Sequence, residues 1–231
     1  MRALALGLAL TAGPAAAQTI LSAEFLAPTA RYDHGILGDA LEWGDLRVVT
    51  DRGAVRLPLP ESQIYEDLAP RLWDVTGDGA PEVVVVQTDI ALGARLLVIG
   101  ALDGSVAPLA ATPWIGQTHR WLAPVGASDL DGDGQIEIAL VERPHLAKVL
   151  QVWRYDGGLR LVTEASDLTT HRIGEAVIHG GITCDGRGVV TYSGDWSRVR
   201  VTRLSEGRLV TTDAGPNGTG AAEALMDCPS R

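Results

Sequence analysis

The sequence predicts an all-β fold built from repeated four-stranded units, and three observations carry that prediction. Hairpin turns recur at a nearly fixed interval: Gly53, Gly104, Gly157 and Gly207 lie 51, 53 and 50 residues apart. Two loops rich in Asp and Gly occupy the same place in successive units, and each runs into a short apolar stretch of β type. Aromatic residues make up only 5% of a chain that holds 27 glycines, and no stretch keeps helical apolar spacing.

The first element is a leader. Met1-Arg2, an apolar run at 3–10 and Ala15-Ala16-Ala17 before Gln18 have the three parts of a secretory signal peptide, with cleavage expected after Ala17. The run is too short to cross a bilayer, and no other approaches the ~20 residues required, so no membrane insertion is expected. The expectation is a periplasmic or secreted protein. A formal charge of −10 argues against a nucleic-acid partner.

Residues 18–231 read as one domain, with units of roughly 29–62, 63–113, 118–167 and 170–214 and a tail at 215–231. Each unit ends in a hairpin, at 48–57, 97–106, 151–162 and 201–210, where acid and Gly mark the reversal because Gly accepts positive φ. The unit starts also repeat. Thr118-His119-Arg120-Trp121 and Thr170-His171-Arg172-Ile173 are 52 apart, and Thr29-Ala30-Arg31-Tyr32 keeps the Thr-x-Arg-apolar pattern. Leu68-Ala69-Pro70 and Leu122-Ala123-Pro124 each precede a strand leading to an Asp loop. Strand, loop, strand and a hairpin of two more is the order of a propeller blade. The expected fold is therefore a small β-propeller of four or five antiparallel four-stranded blades, with four preferred. The first unit is short by about one loop and one strand; residues 20–26 or the strand near Val210 are expected to fill the gap and close the ring.

The loop after Ser128 carries Asp129, Asp131 and Asp133 at alternate positions, then Gly134 and Glu137. Calcium takes six to eight oxygens, so carboxylates must converge from a tight turn. Asp129, Asp131, Asp133 and Glu137 would supply side-chain oxygens and Gln135 its backbone carbonyl. An EF-hand is excluded: its twelfth position, counted from Asp129, is Leu140 rather than a bidentate Glu. A second copy holds Asp74, Thr76, Asp78, Ala80 and Glu82, and with Thr76 replacing the middle Asp it should bind calcium more weakly. In the fourth unit Cys184-Asp185-Gly186-Arg187 retains little beyond Asp-Gly, and no metal is expected there. The alternative at both full loops is a solvated Asp/Gly turn without metal.

The pattern Asp-x-Asp-x-Asp-Gly-x-x-Glu leading into an apolar strand resembles the calcium loops of FG-GAP or VCBS-type repeats, the units of integrin-α-like β-propellers. Val125-Gly126-Ala127 stands where that family has Phe-Gly, and Pro144 stands near its Gly-Ala-Pro. The resemblance implies a propeller stabilised by calcium at the residues named above.

Cys184 and Cys228 are the only cysteines. In an exported protein they are expected to form a disulfide clamping the tail onto the last unit, the alternative being two free thiols. Asn217-Gly218-Thr219 matches a glycosylation acceptor but reads more simply as a flexible turn. No Gly-x-Ser-x-Gly elbow, zinc-binding His pair or phosphate loop is present. His34, His119 and His171 stand beside Arg31, Arg120 and Arg172. Equivalent positions of a propeller surround one axis, which makes Arg31, His119, Arg120, His171 and Arg172 a candidate anion-binding ring. The alternative is that each Arg pairs with a neighbouring acid, Asp33, Glu66, Asp67 or Glu175. Two functions follow. The preferred one is a binding or scaffold module for a protein, peptide or glycan; the other is a hydrolase or lyase with Arg, His and Glu at the central channel.

Overall fold

A computed structural model describes residues 18–38, 41–102 and 104–228. The leader expected at 1–17, with its cleavage site, lies outside the described residues. The fold is all-β, in antiparallel sheets. Strands β1 (Ile20–Thr29), β2 (Glu42–Thr50) and β3 (Gly53–Pro58) form the first unit; β4 (Gln63–Tyr65), β5 (Arg71–Trp73), β6 (Glu82–Asp89), β7 (Gly93–Leu102) and β8 (Ser105–Ala111) form the second. The third is a four-stranded meander of β9 (Leu122–Ser128), β10 (Glu137–Glu142), β11 (Val149–Tyr155) and β12 (Leu159–Ala165). The fourth holds β13 (Leu168–Thr169), β14 (Gly181–Ile182), β15 (Val189–Ser193), β16 (Arg198–Ser205) and β17 (Arg208–Pro216), followed by the single-turn helix α1 (Glu223–Met226).

In the second and fourth units the first strand is split: β4 and β5 both pair with β6, and β13 and β14 both pair with β15. Four expected blades appear as three sheets, because β2 meets β4 through one residue pair, Trp43 and Tyr65, and fuses the first two units. The first unit is three-stranded. Its β1 pairs with β2 as β6 pairs with β7, so residues 20–26 occupy the second-strand position rather than the missing first one.

Inner strands read as unbroken apolar runs because both their faces are covered. Val84 and Val86 of β6 enter a core with Ile138 and Leu140 of β10, while Val83 and Val85 face Leu46 and Val48 of β2. On β10 the alternate residues Ala139 and Val141 pack with Val189 and Leu204 of the fourth unit. Successive units thus stack face to face in chain order. Gly126 on β9 permits close stacking of the third and fourth units, since a Cβ there would lie 2.5 Å from Cγ1 of Ile182.

The outer face of the fourth unit meets Ala222, Leu225 and Met226 of the tail. A Cys184–Cys228 disulfide and a Cys184 N–H bond to the Leu225 carbonyl (3.0 Å) hold the tail there. Among the described residues no strand of the fourth unit pairs with the first unit, and β17, with Val210, stays beside β16. The first and fourth units meet through loops, where Gly174 N–H donates to the Ile36 carbonyl at 3.1 Å.

Candidate functional site

In the second, third and fourth units the opening strand begins at one end of the stack and delivers its Asp loop to the other. The loops at the first end, 30–38, 118–121, 143–148 and 170–175, converge on a pocket of about 240 Å³. Its walls combine Ile36, Trp121, Pro144, Leu146 and Ile173 with His34, His119, Arg120, Arg143 and His145. Asp33, His119 and Arg143 take positive φ, a conformation that costs non-glycine residues about 1 kcal/mol or more and concentrates at ligand sites.

The fully buried Glu66 organises one wall. One carboxylate oxygen bonds His34 Nδ1, the other accepts from the Thr88 hydroxyl at 2.6 Å, and its backbone carbonyl accepts the Trp121 indole N–H at 2.7 Å. A carboxylate partner fixes the proton on Nδ1 and leaves Nε2 of His34 for a ligand. Glu42 accepts the His34 backbone N–H at 3.3 Å, while its other oxygen is buried without a partner. Burial, more than the neighbouring Glu66, pushes the Glu42 carboxyl up. The Tyr32 hydroxyl accepts the His119 backbone N–H at 2.6 Å and its ring stacks on His119; burial and then Glu66 raise its pKa.

The opposite wall holds His145, whose Nε2 lies 2.9 Å from Nδ1 of His171, while Nε2 of His171 lies 2.7 Å from the Glu175 carbonyl. Burial, then the adjacent His171, lowers His145 to about 4, and burial lowers His171. Arg120 donates to the His119 carbonyl at 2.8 Å and has no acid partner among the described residues. Arg143 is paired with Glu142 at 2.7 Å.

The expected Arg/His ring therefore divides. His119 and Arg120 line the pocket and His171 supports it from beneath. Arg31 is structural, bonding the Pro60 and Gln63 carbonyls with Glu61 at 3.5 Å. Arg172 stacks over Trp196 at 4.3 Å in a separate shallow groove. Of the four acids offered as structural partners, Asp67 pairs with Arg71 and Glu175 with His179, Glu66 bonds His34 in the site, and Asp33 lies in the 30–38 loop at positive φ. Sequence reasoning missed Tyr32, Glu42 and His145; Tyr32 fills the apolar position of the first Thr-x-Arg-apolar stretch but was not read as a site residue, and Glu42 and His145 lie outside that pattern.

At the other end, Asp129, Asp131 and Glu137 bring carboxylate oxygens within 4.8 Å of one another. Asp129 accepts the N–H groups of Gly132 and Gly134, Asp133 that of Gln135, and the buried Glu137 that of Leu130. The donor set suits a hard cation, but a guanidinium already lies among these groups. Arg154 bonds Asp131 and Asp133 at 2.9 Å each and Glu137 at 2.5 Å, while Arg187 reaches Asp129 at 3.2 Å. In the 74–82 loop Asp74 caps Gly77 and Gly79, Asp78 accepts from Ala80, and Glu82 accepts from Val75 and Thr76, with no arginine. The residue facing Glu82 across the sheet is Gly100, and a cavity of about 270 Å³ borders Thr76, Asp78, Glu82 and Gly100. The decayed fourth loop keeps Asp185 bonded to Arg203 at 2.9 Å.

No family model matches this chain, and no curated protein does. Among solved structures it is similar to the periplasmic gluconolactonase of Pseudomonas aeruginosa, at 18% identity and a TM-score of 0.41 over 75% of this chain and 52% of that one. The chain thus spans about half the length of that protein.

Proposed function

We propose that the pocket between His34, His119, Arg120 and His145 binds a small carboxylate-bearing molecule and acts on it by acid–base chemistry, as a hydrolase or lyase. The observation that carries this reading is the His34–Glu66 pair placed in the same pocket as an arginine without an acid partner. Glu66 holds Nδ1–H, so Nε2 of His34 can take a proton from water or from substrate, a role worth ~10²–10⁴ in rate. Arg120 supplies the charge that selects the substrate and holds it against the base. Among the described residues no Ser, Cys or Lys lines the pocket, and the reading is that the base acts directly rather than through a covalent intermediate.

The frame belongs to the same proposal: an exported propeller-like stack of four units, consistent with its disulfide, with calcium as a structural ligand. At Asp129, Asp131, Asp133, Gln135 and Glu137 calcium would have to displace Arg154. At Asp74, Thr76, Asp78, Ala80 and Glu82 it would find fewer carboxylates and no competing cation.

The test is a panel of acidic esters and lactones, scored for hydrolysis and for binding. His34→Asn should lose at least a hundredfold in kcat with the fold intact, and Arg120→Ala should raise KM about tenfold. Saturable binding that needs Arg120, without turnover, would return the protein to the class of binding modules. Neither turnover nor Arg120-dependent binding would remove the pocket as the site.

A further inference from the structure

The hydrogen-bond chain beneath His145 fixes which of its nitrogens carries the proton. Nε2 of His171 faces a backbone carbonyl, that of Glu175, and a carbonyl only accepts. Nε2 of His171 therefore bears hydrogen. His171 is 1% exposed and flanked by Trp121 and His145 rings, surroundings that disfavour an imidazolium, so its Nδ1 is left with a lone pair. Among the described residues the polar group at that lone pair is Nε2 of His145, at 2.9 Å, which must then be the donor. His145 is held neutral in the same way, its pKa lowered to about 4. The His171 backbone also bonds the His145 ring; a neutral ring has one N–H, already placed on Nε2, so Nε2 serves both contacts and Nδ1, the remaining nitrogen of a ring that lines the pocket, keeps its lone pair. That nitrogen can only accept.

A ligand carboxylate placed there would set lone pair against lone pair, whereas a hydroxyl would donate. Across the pocket Arg120 offers only donors, and the wall between is apolar, with Ile36, Trp121, Leu146 and Ile173. We infer that the His145–His171 relay makes the pocket selective for hydroxy-carboxylates, Arg120 taking the carboxylate and Nδ1 of His145 accepting the hydroxyl proton. This rests on the proposed function and narrows its substrate class. His145 is a specificity residue, and His171 a positioning residue that acts by setting its tautomer.

The probes are two matched pairs, mandelate with phenylacetate and 3-hydroxy-3-phenylpropionate with 3-phenylpropionate, titrated calorimetrically into the disulfide-bonded protein at neutral pH. In at least one pair the hydroxyl compound should bind about tenfold more tightly, the factor expected for one net hydrogen bond. His145→Ala should abolish that preference, so that the two members of each pair bind alike. Nitrogen-15 NMR of the imidazoles should find His145 protonated at Nε2 and bare at Nδ1, a readout that does not depend on a variant folding. Equal affinities within both pairs, or a proton on Nδ1, would overturn the inference while leaving Arg120-dependent carboxylate binding in place. Absence of binding by all four compounds would overturn the inference and the proposed site together.

Discussion

The two ends of the strand stack treat charge in opposite ways. At the Asp-loop end Arg154, Arg187 and Arg203 each bond carboxylates, and the peptide N–H groups of the turns take up most of the oxygens that remain. At the pocket end, among the described residues, Arg120 has no acid partner, Nε2 of His34 and Nδ1 of His145 lie outside the bonds those rings make to Glu66 and His171, and a buried oxygen of Glu42 has no partner. Closed electrostatics mark the end that holds the fold together, and open electrostatics mark the end with capacity left for a ligand. Within the first end the same lesson repeats on a smaller scale. The 129–137 loop has more acids than the 74–82 loop, yet Arg154 already balances it, while Gly100 leaves the second loop facing a cavity. The residue across the hairpin, and not the carboxylate count of the motif, decides how much a loop needs a cation.

Arg154→Ala is the largest way to break that comparison. The Arg154 side chain is 11% exposed and that of Glu137 fully buried. Removing one partner of a buried pair costs about 3–5 kcal/mol, discounted here to about 2–3 because Asp131 and Asp133 face solvent. A fall of ~5–10 °C in Tm is expected in chelator, with millimolar calcium restoring it and magnesium not. An unchanged Tm, or a loss that calcium leaves untouched, would show that Arg154 is not acting as the counter-ion of the loop.

Gly100→Arg makes the converse change with a smaller effect. A Cβ at Gly100 would meet Cδ2 of Leu109 at 3.3 Å, a contact a leucine rotamer can relieve, and the new guanidinium would reach toward Glu82 and Asp78 as Arg154 reaches toward Glu137 and Asp133. The expected gain is about 1 kcal/mol in chelator, typical of a partly solvated pair, and any calcium-dependent rise from that loop should shrink. Destabilisation in both conditions would mean that the cavity cannot hold an arginine.

Much of the stack could be read from sequence, because local signals repeat: a glycine at each hairpin and an apolar run wherever a strand is covered on both faces. Closure could not. It depends on what covers the far face of the fourth unit, and Ala222, Leu225 and Met226 form too short and ordinary a pattern to announce that they take that place. The Asp loops were visible as motifs, but Arg154 was not, since its role appears only once the pairing of β10 with β11 sets it opposite Glu137. The pocket was half visible. His119 and Arg120 belong to a repeated pattern, whereas Glu42 and His145 join the site through long-range packing of loops that no periodicity links.

Acid titration separates the two ends by the pH at which each fails. Asp185 lies near 2, held down first by the Thr183 hydroxyl and then by the Arg187 N–H and Arg203. A carboxylate lowered in the fold contributes stability above its unfolded value near 4, lost only as pH falls below that value. His145, lowered to about 4 from 6.5, acts at higher pH. Between those values the unfolded chain binds the proton that the folded one refuses, so its contribution is complete above pH 6.5 and declines as pH falls toward 4. Glu42, Glu82 and Glu137, raised by burial, pull the other way because the folded state takes up their protons before the unfolded chain does as pH falls. The informative quantity is therefore the difference in unfolding free energy between wild type and His145→Gln, followed by urea titration from pH 7.5 to 4. The wild type should lose more stability than the variant between pH 6.5 and 4, and the two curves should run parallel at higher pH. Parallel curves throughout would mean that His145 takes up its proton in the fold as readily as in the unfolded chain, and the pocket end would then be no more sensitive to acid than the loops.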